Sequence, residues 1–493
     1  MFAADRQEGE SPGPPAPDDA QQPDAQQPVA LPPEELPPEE IIPLEHRADP
    51  EDPPQDQPHP PLDEQAHPEE EFPPRDITII HLENPILPGE HAGEEHAEGI
   101  FSSDYLKLWL GLFCFMMNIS IFNLLPYYLE MRGASPGFYG LAAGIGGLCS
   151  VLVMIFLARH ADAWTRKTTV TLYLLPALAG NLLSLWALWQ PSLNWYLLVR
   201  VLQGLFMGIG FPLVFSWAVE LAPPGRRVVV LAWLGIAGIL SNSLGPTLAE
   251  LLLAGSSDPG APESFGPVFA LATIFSGISL LCFLFTSDTQ PPREQDKSRS
   301  GILFMLRRPS TLLLMFVSGS FGGLFGVLMS FGKNYVSFLG LDYVSILIWA
   351  YSGGAIFSRV IIQFILRVVP KGHLVPAGLL GLGLSFFILG LGGDYLLLVI
   401  TGVIYGLSHG ILYPTLFSGF LDMQRPSEAG RAAILHQGAF STGFGILTMV
   451  GGSIISVAGF SVFFSMLGAL AGACIFVYIL AERVAGPGPR GRS

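Results

Sequence analysis

From residue 104 onward the chain repeats one device about twelve times: a run of about 20 apolar residues, the length at which an α-helix crosses a bilayer core. Hydrocarbon offers no partner to a peptide N–H or C=O, so a chain inside it must close its own backbone hydrogen bonds, and successive runs of this length do so as helices. The spacing predicts spans over about 106–129, 137–158, 168–188, 194–219, 227–253 and 265–287. A second group follows over about 310–333, 343–368, 374–392, 395–420, 431–457 and 460–481. The expected fold class is an all-α integral membrane protein, with six-helix bundles over 104–288 and 309–485. A polar loop, 289–308, separates the bundles; 1–103 and 486–493 are expected to be tails on the cytoplasmic side.

Charge divides the chain in the same way. Residues 1–103 hold 26 Asp and Glu against three Arg, and are dense in Pro and Gln. That composition cannot offset the entropy of ordering a chain, so the tail is expected to be disordered. Its one apolar patch, DITIIHLENPIL (76–87), is a sticky stretch or a docking segment, and a protein partner for the tail is one expectation. The net charge of −16 belongs to this tail. Its acidity argues against nucleic acid as a partner. In the remainder, Lys and Arg collect in alternate loops. Arg159, Arg166 and Lys167 are followed by Arg226 and Arg227, then by Arg293, Lys297, Arg299, Arg307 and Arg308. Arg367, Lys371, Arg425, Arg431 and Arg483 continue the series, with Arg132 the exception. The positive-inside rule places that face, and both termini, in the cytoplasm.

Charged groups inside a bilayer are costly and mark candidate functional positions. They are Arg200, Glu250, Lys333, Arg359 and His409. Each also has a plain structural reading. Arg200 can bond to the carbonyls of a neighbouring helix, and Glu250 and Lys333 can reach headgroups by snorkelling. His409 can switch charge near neutral pH or be a packed histidine. With Lys333 included, the intramembrane charge leans positive, which suggests an anionic or amphipathic substrate. Gly245-Pro246 should bend and closely pack its span. The two long Gly-rich spans VLQGLFMGIGFPLVF and VIYGLSHGILYPTLF align, Gly204, Gly208 and Pro212 with Gly406, Gly410 and Pro414. Such duplication suits two bundles rocking about a midplane site. Cys114, Cys149, Cys282 and Cys474 lie in apolar runs without metal-binding spacing, and HAGEEH in the tail fits no metal motif, so no metal site is expected.

These motifs resemble the major facilitator superfamily, and within it the proton-coupled exporters of the bacterial arabinose-efflux and drug–proton antiporter type. The resemblance covers about 104–485. The loop ARHADAWTRK (158–167) is similar to G-x-L-A-D-R-x-G-R-K, keeping Ala161, Asp162, Arg166 and Lys167. The resemblance implies that Asp162, Arg166 and Lys167 form a gating loop that latches the two bundles. R-x-x-Q-G is present as Arg200, Gln203 and Gly204, which implies a part for Arg200 in proton coupling. The exporter-type G-P pattern is matched by Gly245, Pro246, Ala249 and Glu250, and Arg359 matches the arginine before a weaker second-half loop copy. GLSHGILYPTL matches a run of these exporters, with Ser408-His409 an unusual interior. Ala158, Ala163 and Thr165 depart from the loop pattern, Ser441 stands where an Asp is common, and span one has no acid.

What the resemblance implies is a major facilitator fold, a monomer in a bacterial inner membrane, and alternating-access efflux of a small molecule driven by a proton gradient. Glu250, Arg200, Gln203, Arg359 and His409 are the candidate coupling and cavity residues, with no cofactor. Competing expectations are an importer or uniporter of the same fold, or a non-transporting sensor recruiting partners through its tail. No nucleophile–base pair supports an enzyme.

Overall fold

The computed structural model describes residues 102–161, 164–222, 227–258, 261–289, 302–422 and 429–485. The acidic tail with its 76–87 patch and HAGEEH, the residue Asp162, and 486–493 lie outside the described residues. Among the described residues every regular element is helical. Helix α1 (Ser103–Ile121) continues through a 3-10 turn (Phe122–Leu124) into α2 (Leu125–Met131). There follow α3 (Pro136–Ala161), α4 (Arg166–Ala187), α5 (Trp195–Leu221), α6 (Arg227–Ala254) and α7 (Phe265–Leu284). A short α8 (Ile302–Met305) precedes α9 (Pro309–Phe338), α10 (Ser345–Ile365), α11 (Lys371–Gly390), α12 (Tyr395–Asp422) and α13 (Ala429–Ala485).

Eleven helical stretches among the described residues are long and apolar enough to cross a membrane, α1 and α2 forming one of them. The last is broken at Gly459, whose φ of 76° leaves the helical region. There the chain doubles back, because Phe463 lies against Gly451. The expected separate spans 431–457 and 460–481 are the two arms of α13. Only a glycine reaches that φ without a Cβ penalty. The loop 289–308 is not wholly irregular: α8 forms within it and buries Met305.

The helices turn many large apolar residues outward and bury serines within an otherwise apolar interior, unlike a protein folded in water. On α10, Phe357, Val360 and Phe364 are each more than half exposed, while Ser352 and Ser358 are buried. Since lipid solvates apolar chains as well as a protein interior does, close backbone approach and hydrogen bonds drive the packing. The aligned glycines show this twice. On α5, Gly204 lies against Gly146 and Gly208 against Ser150 of α3; on α12, Gly406 lies against Tyr351 and Gly410 against Ala355 of α10. Helices α1 and α3–α7 pack on one another as a first set, and α9–α13 as a second. Thr165, where the resembling loop has glycine, has its own use: its Oγ1 caps α4 by accepting from the Thr168 N–H at 3.4 Å.

Candidate functional site

The two sets meet along two seams, α3 with α13 and α6 with α10, and at the far end of α2 against α9. One face of the molecule carries the basic loops; the polar contacts between sets gather towards the other, called here the far face. On α6, Ser243, Thr247 and Glu250 are spaced i, i+4, i+7 and so share one side. That side meets α10 running the opposite way. Ser243 Oγ lies 2.6 Å from Ser352 Oγ, and Trp349 Nε1 donates to Thr247 Oγ1 at 3.0 Å.

At the end of this row Glu250 pairs with Lys333 of α9, Nζ to Oε1 2.8 Å, both side chains more than nine-tenths buried. The carboxylate also accepts from the backbone N–H groups of Val344 (2.8 Å) and Ser345 (3.1 Å) at the start of α10. Lys333 further donates to the Asp342 carbonyl and stands 5.4 Å above the Tyr127 ring. A buried pair with its remaining sites satisfied holds; the same pair with one partner removed leaves a stranded charge. Two expectations are corrected by this geometry. Lys333 and Glu250 do not snorkel to a surface, and Lys333 adds nothing to a positive excess, since Glu250 neutralises it. Next to them Asn334 Nδ2 donates to Glu130 Oε2 at 2.7 Å, again joining the sets. Glu130 was absent from the candidates because it follows the predicted end of span one. Its nearness to the Lys333-Asn334 pair has no signal in the sequence.

On the other seam, α3 and the first arm of α13 touch backbone to backbone through Gly140 and Gly452, Gly144 and Gly445. Gly147 faces the carbonyl of Ser441, the position where the resembling exporters often carry Asp. Gly245 does not lie on a seam. It packs against Ser120 and Ile121 of α1, where Ser120 Oγ donates to the Ser241 carbonyl at 2.7 Å. Pro246, one residue on, cannot supply an N–H to its helix beside this contact.

Arg200 is buried in the first set. It donates to Gln203 Oε1 at 2.8 Å and reaches the carbonyls of Ala142 and Ala143 at 3.4 and 3.5 Å. Gln203 in turn donates to Asn181 Oδ1 at 2.7 Å, so α3, α4 and α5 share one polar network. Replacing Arg200 with Met should strand three acceptors at once. We expect a loss of about 2–4 kcal/mol in stability of the purified protein, read as a lower thermal midpoint in detergent.

In the second set His409 is wedged among rings, 5.1 Å from Phe321 and Phe325, with Tyr351, Tyr405 and Tyr413 beyond. Tyr351 Oη lies 3.4 Å from its Nδ1. Nearby His436, which precedes Gln437 on α13 and escaped notice as a candidate, places Nδ1 3.0 Å from Ser318 Oγ of α9. Among the described residues no group of His, Cys, Asp and Glu could hold a metal ion.

On the basic face, the predicted gating residue Asp162 lies outside the described residues. Arg166 binds Glu220 at the end of α5, Nη2 to Oε1 2.9 Å. Thr289 Oγ1 donates to the other oxygen of that carboxylate at 2.5 Å, and the Arg166 N–H bonds to the Thr289 carbonyl. The Lys167 N–H donates to Asp288 Oδ1 at 3.1 Å, and Trp217 Nε1 to the Ser287 carbonyl at 3.1 Å. Arg166 and Lys167 thus fasten α4 to α5 and to the chain leaving α7, all within the first set.

Comparison with known proteins gives one family and one fold. The sequence profile described as Major Facilitator Superfamily matches residues 108–418. A D-xylose–proton symporter is similar at a TM-score of 0.65 and 14% identity, covering 79% of this chain and 98% of that one. The nucleoside transporter NupG is similar at 0.62 and 14%, covering 77% and 99%. The human organic anion transporter MFSD10 (TETRAN) is similar at 0.52 and 18%, covering 77% and 100%. At these identities the likeness is one of fold.

Proposed function

The chain belongs to the major facilitator superfamily of secondary transporters, and from that premise we propose that it exports a small molecule in exchange for protons, with Glu250 and Lys333 as the gate of its far face. Members of the family move a substrate rather than convert it, and the protein is a multi-pass membrane protein, not an enzyme. The observation that carries the gate is the buried ion pair joining the two helical sets where α6 meets α9 and the start of α10. The positive-inside rule supports placing the basic face in the cytoplasm. The far face is then the outer one, and the polar contacts gathered there hold it shut, the state that loads cargo for export.

A proton on Glu250 would cancel the charge that Lys333 neutralises, and with it most of the attraction. Protons reaching an open far face therefore oppose its closure, and Glu250 acts as a gate rather than as the group that carries a proton through. Flux of a substrate panel from liposomes holding the purified protein tests the reading. An imposed proton gradient directed against the cargo should accelerate export. Flux indifferent to the gradient would sink the exchange and keep the carrier; acceleration along the gradient would make it an importer.

A further inference from the structure

Arg359 lies inside the membrane-crossing part of α10 (Ser345–Ile362), two helical turns from Ser352 and on the same side of the helix. That side faces α6, as the Ser243–Ser352 contact shows. The lipid side of α10 is occupied by Phe357, Val360 and Phe364. A Cβ built on Gly235 of α6 would sit 3.3 Å from the Arg359 Nη1, so the guanidinium reaches across the seam to the other set. Further along α6, Gly238 has nothing within 4 Å of where its Cβ would be, so space is open one helical turn from the glycine that Arg359 reaches. Among the described residues no carboxylate pairs with Arg359. Its neighbour Ser358 lies against Gly410 of α12, and His409, the residue before that glycine, is ringed by Tyr351 and Tyr413. Around them Phe325, Tyr413 and Phe440 are only half-buried, each within 6.3 Å of another ring of the cluster.

A guanidinium offers five donors and does not give up its proton. Inside a span such a group normally finds an acid or faces a polar path. Lys333 has its acid and Arg200 its carbonyls; Arg359 has neither, yet stands at the seam near open space and aromatic faces. We propose that Arg359 is the anion-binding element of the cargo site, and that the cargo is a small organic anion with a flat apolar body. Its negative group meets the guanidinium, and its flat part lies on Phe325, Tyr413 and Phe440. The inference rests on the carrier reading and names the cargo class of that site. A lipid phosphate offers the same anionic chemistry, but the lipid side of α10 points elsewhere.

Matched probes separate these sources. Benzoate and 2-naphthoate, with their neutral amides, are titrated against the purified protein in phosphatidylcholine nanodiscs, following tryptophan fluorescence and the thermal midpoint. The acids should bind at least about tenfold more tightly than the amides, and Arg359→Gln should remove that preference while Arg359→Lys keeps part of it. Gly238→Leu, which retains the arginine but fills the open space on α6, should weaken both acids by a similar factor. Equal binding of acid and amide, or an acid preference that survives Arg359→Gln, overturns the assignment. If the acids do not bind, and phosphatidylglycerol stabilises the native protein but not Arg359→Gln, the site is a lipid site and the inference is wrong. Acid binding without flux of any panel compound would instead sink the carrier reading alone.

Discussion

Lys333→Met should open the far face of the transporter, shifting its conformational balance by about a hundredfold or more. The variant leaves Glu250 charged between two backbone N–H groups with no cation. Removing one member of a buried pair costs about 3–5 kcal/mol, because the survivor stays desolvated. Opening the far face rehydrates that carboxylate and relieves the cost, so the strain is released through motion rather than unfolding. A cysteine at Asn242, half-buried on α6 next to the seam residue Ser243, in a background where Cys114, Cys149, Cys282 and Cys474 have been replaced, reports the change. Labelling by a membrane-impermeant maleimide added to the far face should rise steeply. Glu250→Gln should act in the same direction, since it strands Lys333. The double variant Glu250→Met with Lys333→Met should label much like the parent, because an apolar pair of similar size is close to neutral where an ion pair stood. Unchanged labelling in both single variants would show that the pair does not hold the face closed.

Glycine substitutions should give opposite outcomes depending on which helices they separate. A Cβ at Gly140 would sit 2.8 Å from the Thr448 carbonyl oxygen and 2.9 Å from the Gly452 Cα. Neither backbone can yield, so Gly140→Val has to part α3 from α13. Those helices belong to different sets, and the parting is the opening motion itself. The variant should fold normally and label strongly at Asn242→Cys. At Gly406 the obstacles are Ala355 N and the Tyr351 carbonyl carbon, both 2.9 Å away and within the same set. No rocking relieves that clash. Gly406→Val should cost about 1–3 kcal/mol or more of fold stability, read as lower yield and a lower thermal midpoint, with no gain in labelling. If the two variants behaved alike, the division into two rigid sets would be wrong.

The spans were legible because a bilayer demands about 20 apolar residues per crossing, and the chain supplies them with polar breaks. Gly459 was a fair place for a turn on the same ground. The aligned glycines of α5 and α12 were visible as a repeat, and each holds its helix against an equivalent neighbour. The Glu250–Lys333 contact was not legible, and the reason is a boundary. The predicted span 310–333 put Lys333 at a helix end, where snorkelling is cheap, whereas α9 runs on through NYVSF to Phe338. One further turn carries the lysine inside and makes a partner obligatory. That partner lies 83 residues away, a separation on which residue type is silent. Arg200 was read correctly in one of its two senses, as a donor to carbonyls, because a buried guanidinium in a Gly-rich helix has backbone within reach.

The bonds that fasten residues 287–289 to α4 and α5 extend the first set beyond the end of α7. The Ser287 carbonyl accepts from Trp217, Asp288 accepts from the Lys167 N–H and Thr289 donates to Glu220, so these three residues move with that set. A pull on the chain at Thr289 is therefore borne by α4, α5 and α7 together rather than by the last turn of α7 alone.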